Sequence, residues 1–419
     1  MKKHLFTLLP ISVLFFLNAC NSDNINWQNI EKDLQTQLIM AEDGDTIRIP
    51  EGHFKFSGSI SLDEKNNIVI IGAGLDKTVL SFKGQTEGAE GLRITNGSNI
   101  LVKDLTIQDS KGDAIKTQDI VGMSFVNVRT EWTGKPKESN GAYGFYPVLC
   151  TNVLIDGCIA NGASDAGIYV GQSKYVVVKN CTAYHNVAGI EIENTLYADV
   201  YDNYAHDNTG GILVFDMPNL KQKKGGYVRV YNNLITNNNH RNFAPEGNIV
   251  GKVPAGTGFM VLAASNVEVF NNRIEKNKTA GVSIASFLLV EPNIKDTLFD
   301  PYPKAIEIHD NTFKRKLIQI ADWRNDLGKL ALFKFMFSVP DVLYDGIIDP
   351  VNGSNTENKI CLKNNGDITF ANIDAQNNFK NIATDINAHN CDLEQLPQVQ
   401  FQTITKDTLS ILPATETVM

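Results

Sequence analysis

Four carboxylates have positions in the sequence that would suit acid–base catalysis. Glu191 and Glu193 are two residues apart in a β-rich segment, so on a strand they would share a face about 7 Å apart. Hydrolysis of a glycoside needs two carboxyl groups roughly 5 to 10 Å apart. Asp165 leads into the corresponding strand one repeat earlier, and Asp216 lies just beyond the corresponding strand in the following repeat. These four residues are the predicted catalytic groups if the protein is an enzyme.

Aromatic and basic side chains accompany these carboxylates. Strand alternation places Tyr143, Tyr146, Tyr169 and Lys116 on or beside the same outward face. Tyrosine rings stack on sugar rings and carboxylates accept hydrogen bonds from sugar hydroxyls, so the face fits a saccharide groove. A tyrosine could also serve as the base of an elimination reaction. An ordinary solvated sheet face is the alternative interpretation of the same pattern.

The segments that position these residues repeat along the chain. Two positions recur in the repeats. At the first, asparagine or a substitute follows a short apolar run, and at the second, a small residue precedes an apolar one. The first column is Asp104, Asn127, Gly157, Asn180, Asn203, Asn233, Asn272 and Asn311, and the second is Ala114-Ile115, Gly144-Phe145, Gly167-Ile168, Gly189-Ile190, Gly211-Ile212, Gly258-Phe259 and Gly281-Val282. The shortest spacing in the first column is 23 residues, and inserted loops lengthen it at intervals. A repeat of this length indicates a solenoid.

Each repeat contains short strands that cannot form a core alone. If each repeat forms one coil and pairs in parallel with the next, the inward side chains meet in a continuous apolar column. Asparagine suits the corners because it tolerates left-handed backbone geometry. We therefore predict a right-handed parallel β-helix of about nine or ten coils, roughly 45 Å long. A β-propeller is the main alternative, but its blades need about 40 residues or more each.

The N-terminal residues predict a bacterial lipoprotein. Two lysines and an apolar run lead into Leu17-Asn18-Ala19-Cys20, which resembles a lipobox in which Cys20 becomes the acylated first residue. A plain secretory signal is the alternative. Acyl chains would tether the protein to a membrane without spanning it. Because Asn21 is not Asp, we expect the outer membrane of the cell envelope.

The predicted organisation has five parts: a signal peptide over 1–19, a tether over 20–28, an N-terminal cap with the first strands over 29–67, the β-helix over 68–312 and a mixed C-terminal cap over 313–419. Longer excursions at 129–142, 216–226, 237–256 and 287–303 are loops on which a binding surface could be built.

Charge and cysteine usage restrict the ligands. The formal net charge is −9, which disfavours nucleic acid and, less decisively, polyanions.

Cys361 and Cys391 lie outside the repeats and could pair in an oxidising compartment; the sequence leaves this open. The chain has no Cys-x-x-Cys-His motif for covalent haem. Calcium could bind the four carboxylates, but the glycine-rich calcium repeat is absent from the sequence, so no metal or cofactor is predicted.

Over about residues 45–312 the coils resemble the pectate-lyase-like β-helix superfamily, which includes polysaccharide lyases, mannuronan C5-epimerases and NosD-like periplasmic repeats. Tyr143-Gly144-Phe145-Tyr146-Pro147-Val148 is similar to the Tyr-Gly-Phe-Asp-Pro-His segment of alginate epimerases, whose Asp and His lie in the active site. Tyr146 and Val148 stand at those two positions, which removes a carboxylate and an imidazole together. Epimerisation by that mechanism is therefore not expected.

Segments 140–144, 162–173, 208–216 and 242–245 resemble a family of parallel β-helix repeat lipoproteins with no assigned activity. Members of that family tend to be encoded beside a dihaem c-type cytochrome lipoprotein, which implies a redox-linked partner. The favoured hypothesis is a non-catalytic envelope protein that binds a glycan or a partner protein. The alternative is a carbohydrate-active enzyme: a polysaccharide lyase, an epimerase or a glycoside hydrolase.

Overall fold

The structure, a computed structural model, describes residues 29–315, 320–353 and 355–401. The predicted signal peptide, Cys20 and the tether up to residue 28 lie outside the described residues. In the described part of the chain, no helix has both the length and the apolar character needed to cross a membrane.

Strands, most of them short, are the main regular structure of the described chain, with two α-helices and several 3-10 turns. The helices are α1 (Ile30–Met40) and α2 (Asp326–Phe335), and the 3-10 turns are Ile249–Lys252, Phe287–Leu289, Thr356–Asn358, Ala375–Asn377 and Ile386–His389. The strands are β1 (Thr46–Arg48), β2 (Gly52–Lys55), β3 (Gly58–Asp63), β4 (Val69–Ile71), β5 (Thr78–Ser81), β6 (Glu87–Gln108), β7 (Ile115–Glu131), β8 (Phe145–Val148), β9 (Thr151–Asp156), β10 (Ile159–Asn161), β11 (Ala166–Gly171), β12 (Lys174–Lys179), β13 (Thr182–Tyr184), β14 (Ala188–Glu193), β15 (Leu196–Tyr201), β16 (Tyr204–His206), β17 (Gly210–Phe215), β18 (Gly226–Tyr231), β19 (Leu234–Thr236), β20 (Thr257–Leu262), β21 (Ser265–Phe270), β22 (Arg273–Glu275), β23 (Ala280–Ala285), β24 (Lys304–His309), β25 (Thr312–Lys314), β26 (Val342–Tyr344), β27 (Ile360–Lys363) and β28 (Phe370–Asn372).

The strands stack in parallel on three sides of a prism, one coil above the next. Side A is the column β3, β6, β7, β8, β11, β14, β17, β20, β23, β26 and β28. Side B is β1, β4, β6, β7, β9, β12, β15, β18, β21, β24 and β27. Side C is β2, β5, β6, β7, β10, β13, β16, β19, β22 and β25. The predicted coil-on-coil stacking is therefore confirmed.

The predicted column of small and apolar residues lies where the sequence places it. Ile168, Ile190 and Ile212 are level with one another on side A and fully buried in the central core. The preceding glycines have no room for a side chain, because a Cβ on Gly189 would lie 2.5 Å from the carbonyl oxygen of Gly211 in the next coil. Close stacking of coils thus explains the small residues.

The asparagine column predicted from the sequence is in fact two neighbouring columns. Asn180 is level with Asp202 and has a left-handed backbone, with φ of 54°. Asn203 is level with Cys181, whose backbone N–H it accepts at 2.9 Å. The predicted stacking of Asn180 on Asn203 is wrong by one residue, because this coil is 22 residues long and not 23.

Buried amide ladders run along two corners of the prism. The first contains Asn203, Asn233, Asn272, Asn311 and Asn365. From Asn233 onward, each side-chain oxygen accepts the backbone N–H and the side-chain N–H of the asparagine in the preceding coil. The second ladder was not predicted from the sequence; it contains Asn186, Asn208, Asn238 and Asn277. Each internal amide replaces water as the partner of buried backbone groups at a corner.

Coil stacking extends beyond both predicted boundaries of 68 and 312. It begins where β1 pairs with β4 and ends where β26 pairs with β28. At the N-terminal end, α1 closes the first coil with Leu34 and Leu38, as expected of a cap.

The C-terminal segment runs back along side B. Cys361 and Cys391 form a disulfide with an S–S distance of 2.02 Å. Beyond it, the backbone N–H of Leu396 donates to Glu268 at 3.2 Å and that of Val399 to Asp199 at 3.1 Å. The segment 392–401 therefore crosses several coils and ties them together.

Candidate functional site

The parallel register brings the predicted site residues into one column on the outward face of side A. Lys116 is level with Tyr146, and Tyr169 is level with Glu191 and then Leu213. The outward stripe predicted by strand alternation is confirmed. We call the group formed by Tyr143, Tyr146, Tyr169, Asp165, Glu191 and Glu193 the tyrosine–acid cluster.

Three tyrosine rings contact one another in this cluster. The ring centroids of Tyr143 and Tyr146 are 4.4 Å apart, those of Tyr143 and Tyr169 are 4.7 Å apart, and those of Tyr146 and Tyr169 are 5.0 Å apart. The Lys116 Nζ lies 5.3 Å from the Tyr146 centroid, within cation–π range. The rings form one aromatic surface that spans two neighbouring coils.

The carboxyls of the cluster have different partners. Asp165 Oδ2 accepts from the Tyr143 hydroxyl at 3.4 Å and from the Asn248 amide at 3.2 Å. Glu193 Oε1 accepts from the Tyr169 hydroxyl at 2.7 Å. Glu191 Oε2 is buried, and no hydrogen-bond partner for it is found among the residues that the structure describes.

An inserted loop covers this face, so the expected open groove is wrong for most of it. Val250 and Val253, from the insertion over 237–256, pack in an apolar cluster with Tyr169 and Leu213. The exposed fraction is 4% for Glu191. It is 7% for Asp165 and 3% for Asp216. The Tyr143 and Tyr146 side chains remain partly exposed and form the mouth of the site.

Asp216 does not join the cluster through a hydrogen bond. Its two carboxylate oxygens accept the backbone N–H of Gly225 at 3.0 and 3.1 Å, which closes the loop over 216–226. Asp216 thus shapes an insertion beside the site, and its predicted role as a catalytic group is not supported by its position.

Burial raises the pKa values of the carboxyls in the tyrosine–acid cluster. Burial, with the Glu193 carboxyl beside it, raises the pKa of Asp165 to about 7. Burial also raises the pKa of Glu193 to about 7, against the opposing hydrogen bond from Tyr169. The pKa of Glu191 is raised well above its usual range by burial and by the carboxyls of Asp165 and Glu193. Near neutral pH the cluster therefore holds protons that solvent-exposed carboxyls would have lost.

The tyrosines are disfavoured as bases. Burial and the nearby carboxyls raise the pKa of Tyr146 to about 12, and they raise the pKa values of Tyr143 and Tyr169 well above the usual range. A phenol that resists ionisation does not abstract a proton at neutral pH. The role of Tyr146 or Tyr169 as an elimination base is therefore disfavoured.

Two residues of the site were missed from the sequence. Asp113 lies near Lys116 at the mouth, and burial raises the pKa of its carboxyl to about 6. Asn248 reaches Asp165 across 83 residues of sequence, from the covering loop. The Asp113 position could have been found from its place just before the strand that carries Lys116, whereas no local pattern points to Asn248.

Acidic groups at metal-ligand spacing occur elsewhere. In the described ranges, Glu268, Glu307 and His309 on side B have ligand atoms within 4.8 Å of one another. Glu268 already accepts from Leu396 and lies 3.7 Å from Arg229, and His309 Nε2 is 3.2 Å from Glu268. These contacts form an ion-pair network, which explains the proximity without a metal.

Comparison with known proteins identifies the coil type. Residues 90–239 and 133–287 match the family described as the right handed beta helix region. The fold is a right-handed parallel β-helix. Among curated proteins, a pre-neck appendage protein of Bacillus phage B103 is 24% identical over 208 residues, and the match covers 41% of this chain and 24% of that protein.

Solved β-helix structures share the architecture at low sequence identity. The A-module of the mannuronan C-5 epimerase AlgE4 of Azotobacter vinelandii is 16% identical, with 80% of this chain and 90% of that chain covered and a TM-score of 0.49. An alginate lyase from Paenibacillus is 15% identical, with 68% and 93% covered and a TM-score of 0.45. The phage protein is much longer than the part that matches, and these likenesses concern the β-helix fold alone.

Proposed function

We propose that this β-helix protein binds an uncharged glycan at the tyrosine–acid cluster and does not catalyse a reaction on it. The observation that carries the proposal is the pair of partly exposed rings of Tyr143 and Tyr146, which contact each other and the buried Tyr169 ring. Beside them, the carboxyls of Asp165 and Glu193 have pKa values of about 7, so they are only partly ionised near neutral pH. Aromatic faces stack on sugar rings, and neutral carboxyls both donate and accept hydrogen bonds to hydroxyls.

The charge of the site favours an uncharged ligand over a polyuronate. Asp113, Asp165, Glu191 and Glu193 stand near the rings, and Lys116 is the cation that lies over the Tyr146 ring. A bound uronate would either be repelled by ionised carboxyls or force them to stay protonated, and both lower its affinity.

The absence of two reactive groups favours binding over catalysis. Tyr146 and Val148 occupy the positions at which the epimerase-like segment has Asp and His. Glu191 is covered, so it does not reach a ligand at the mouth unless the insertion moves. A general acid or base must lie within hydrogen-bond reach of the atom that it protonates or deprotonates.

Replacing Tyr146 with alanine is expected to weaken glycan binding about tenfold, because loss of ring stacking costs about 1 kcal/mol or somewhat more. The ligand is first found on an array of neutral and acidic glycans, and its Kd is then measured by isothermal titration calorimetry. Tyr204→Ala is the matched control, since Tyr204 is a 40% exposed tyrosine on side C. Equal affinity of the Tyr146→Ala protein and wild type would place the binding surface elsewhere.

An enzyme is the second candidate function, and one observation favours it. Asp165 and Glu193 both have pKa values of about 7, as a general acid and base working at neutral pH require. Purified protein incubated with the glycan panel would then release reducing ends or unsaturated uronates, and Glu193→Gln would abolish the release. No release from a glycan that binds with measurable affinity supports the binding function instead.

We further propose that the protein is lipid-anchored through Cys20 in the bacterial outer membrane, with a dihaem c-type cytochrome lipoprotein as a partner. The support is the lipobox-like sequence and the family resemblance. Cys20→Ser is expected to move the protein from the membrane fraction to the soluble periplasmic fraction, as judged by immunoblot after ultracentrifugation. Release of the wild-type protein into the soluble fraction would contradict the anchor.

A further inference from the structure

Five large apolar side chains in helix α2 and in the residues just before and after it are exposed, far from the tyrosine–acid cluster along the chain. Phe333 is 82% exposed, Trp323 64%, Met336 63%, Phe337 56% and Ile320 46%. We call these five residues the apolar patch. Large apolar side chains that cluster on a surface mark an interaction site, whereas scattered ones need no explanation.

The segment that carries the patch is basic in an acidic protein. Residues 314–337 contain six Lys or Arg residues and two Asp residues, a net charge of +4, while the whole chain has −9. Lys329 and Arg324 are exposed at the patch and form ion pairs with Asp326 and Asp322. The patch therefore combines aromatic and aliphatic side chains with flanking cations.

Helix α2 is weakly seated on the β-helix. Its fully buried residues are the small Gly328 and Ala331. An apolar cavity separates it from side A and is lined by Met260, Leu330 and Phe335. The helix thus has apolar side chains on its inner side as well as Phe333 on its outer side, which is unusual for a helix that faces water.

We propose that the apolar patch docks on the surface of a phospholipid bilayer that contains anionic lipid. Tryptophan and phenylalanine favour the boundary between headgroups and acyl chains, and lysine and arginine beside them bind anionic headgroups. The acidic remainder of the chain would be repelled by the same surface, so charge directs the patch towards it. The acidic surface of a second copy of this chain would also attract the basic segment, so self-association is one of the outcomes that the test below separates from bilayer binding.

The position of the patch gives the orientation of the rod. Side A takes eight strand-to-strand steps from β3, against which α1 packs, to β23, beside which α2 lies. At about 4.8 Å a step this is roughly 40 Å. The nine residues 20–28 reach at most about 30 Å. An anchor at Cys20 and docking at α2 together lay the rod along the bilayer.

The test uses the chain from residue 20 with Cys20→Ser, which removes the predicted acylation and isolates the patch. Co-sedimentation with vesicles of phosphatidylethanolamine and phosphatidylglycerol is expected, with a blue shift of Trp323 fluorescence. Phe333→Ser is expected to weaken the binding about tenfold, and Phe333→Ser combined with Phe337→Ser more than this.

The matched control is Leu298→Ser, since Leu298 is 70% exposed but lies outside the patch. It is expected to bind vesicles as the Cys20→Ser protein does, and circular dichroism checks that each variant keeps its β-helix. No sedimentation with anionic vesicles, or equal sedimentation of the Phe333→Ser protein, overturns the proposal. Dimers that dissociate on Phe333→Ser without any vesicle binding would show a self-interface instead. Because no glycan enters this assay, its failure leaves the glycan proposal intact.

Discussion

Glu191→Gln is expected to stabilise the protein at neutral and higher pH and to have little effect at pH 5. Between the unfolded and folded pKa values of Glu191, the folded state holds a proton that the unfolded state loses. Each rise of one pH unit in that range lowers the free energy of unfolding by about 1.4 kcal/mol. Glutamine is neutral in both states, so the variant should be more stable than wild type at pH 7, and the difference should be larger than at pH 5.

The stability of the wild-type protein should depend on pH for the same reason. Asp165 and Glu193 have folded pKa values of about 7. Their raised pKa values favour the fold at low pH, and this contribution is lost as the pH rises from about 4 to about 7. Wild-type stability should therefore fall across that window.

Differential scanning calorimetry at pH 5, 6, 7 and 8 measures both effects. Glu138→Gln is the control, because Glu138 is exposed on an inserted loop outside the tyrosine–acid cluster. Wild-type stability that rises from pH 5 to pH 7, or a Glu191→Gln protein that is no more stable than wild type at pH 7, would show that Glu191 is ionised in the fold.

Asn233→Ala is expected to destabilise the β-helix by about 4 kcal/mol. The Asn233 side chain accepts the backbone and side-chain N–H groups of Asn203, each at 3.0 Å, and donates to the carbonyl of Val200 at 2.9 Å. Alanine leaves these three groups buried without a partner, and each such group costs about 1 to 3 kcal/mol. Partial entry of water would recover some of this loss.

Asn180→Gly is the control for Asn233→Ala. It changes an asparagine at a left-handed corner without removing hydrogen bonds of the buried ladder. Asn180 is exposed and has a left-handed backbone, which glycine adopts without strain. Its loss of one hydrogen bond to Asp156 should cost about 1 kcal/mol or less. Urea titration followed by circular dichroism compares the two variants; similar losses for both would mean that the buried amide ladder contributes nothing special.

The repeat pattern was sufficient to predict the coils because it reflects contacts between successive turns of the chain. Glycine precedes Ile168, Ile190 and Ile212 because the backbones of successive coils approach closely there. The spacing of these glycines therefore identifies the residues that stack on one another. The register of Asn180 and Asn203 was less secure, since Asn fits both a left-handed corner and the buried ladder beside it. Residue type alone does not separate two adjacent positions that favour the same amino acid for different reasons.

The covered state of the site could not be predicted in this way. Glu191 alternates with core residues and was correctly placed on the outward face. Its burial depends on Val250 and Val253, which belong to an insertion with no repeat pattern. The path of an insertion is decided by side-chain packing over long sequence separations, as the contact of Asn248 with Asp165 shows.

The C-terminal segment over 392–401 has a mechanical consequence. A β-helix pulled along its axis places its coil interfaces under tension in series, so rupture begins at the weakest interface. Val399 bonds to Asp199 on β15 and Leu396 to Glu268 on β21, while the disulfide fixes the segment to β27. The segment therefore carries tension in parallel with the interfaces that it crosses, and a crack at one of them must detach it before the coils can part.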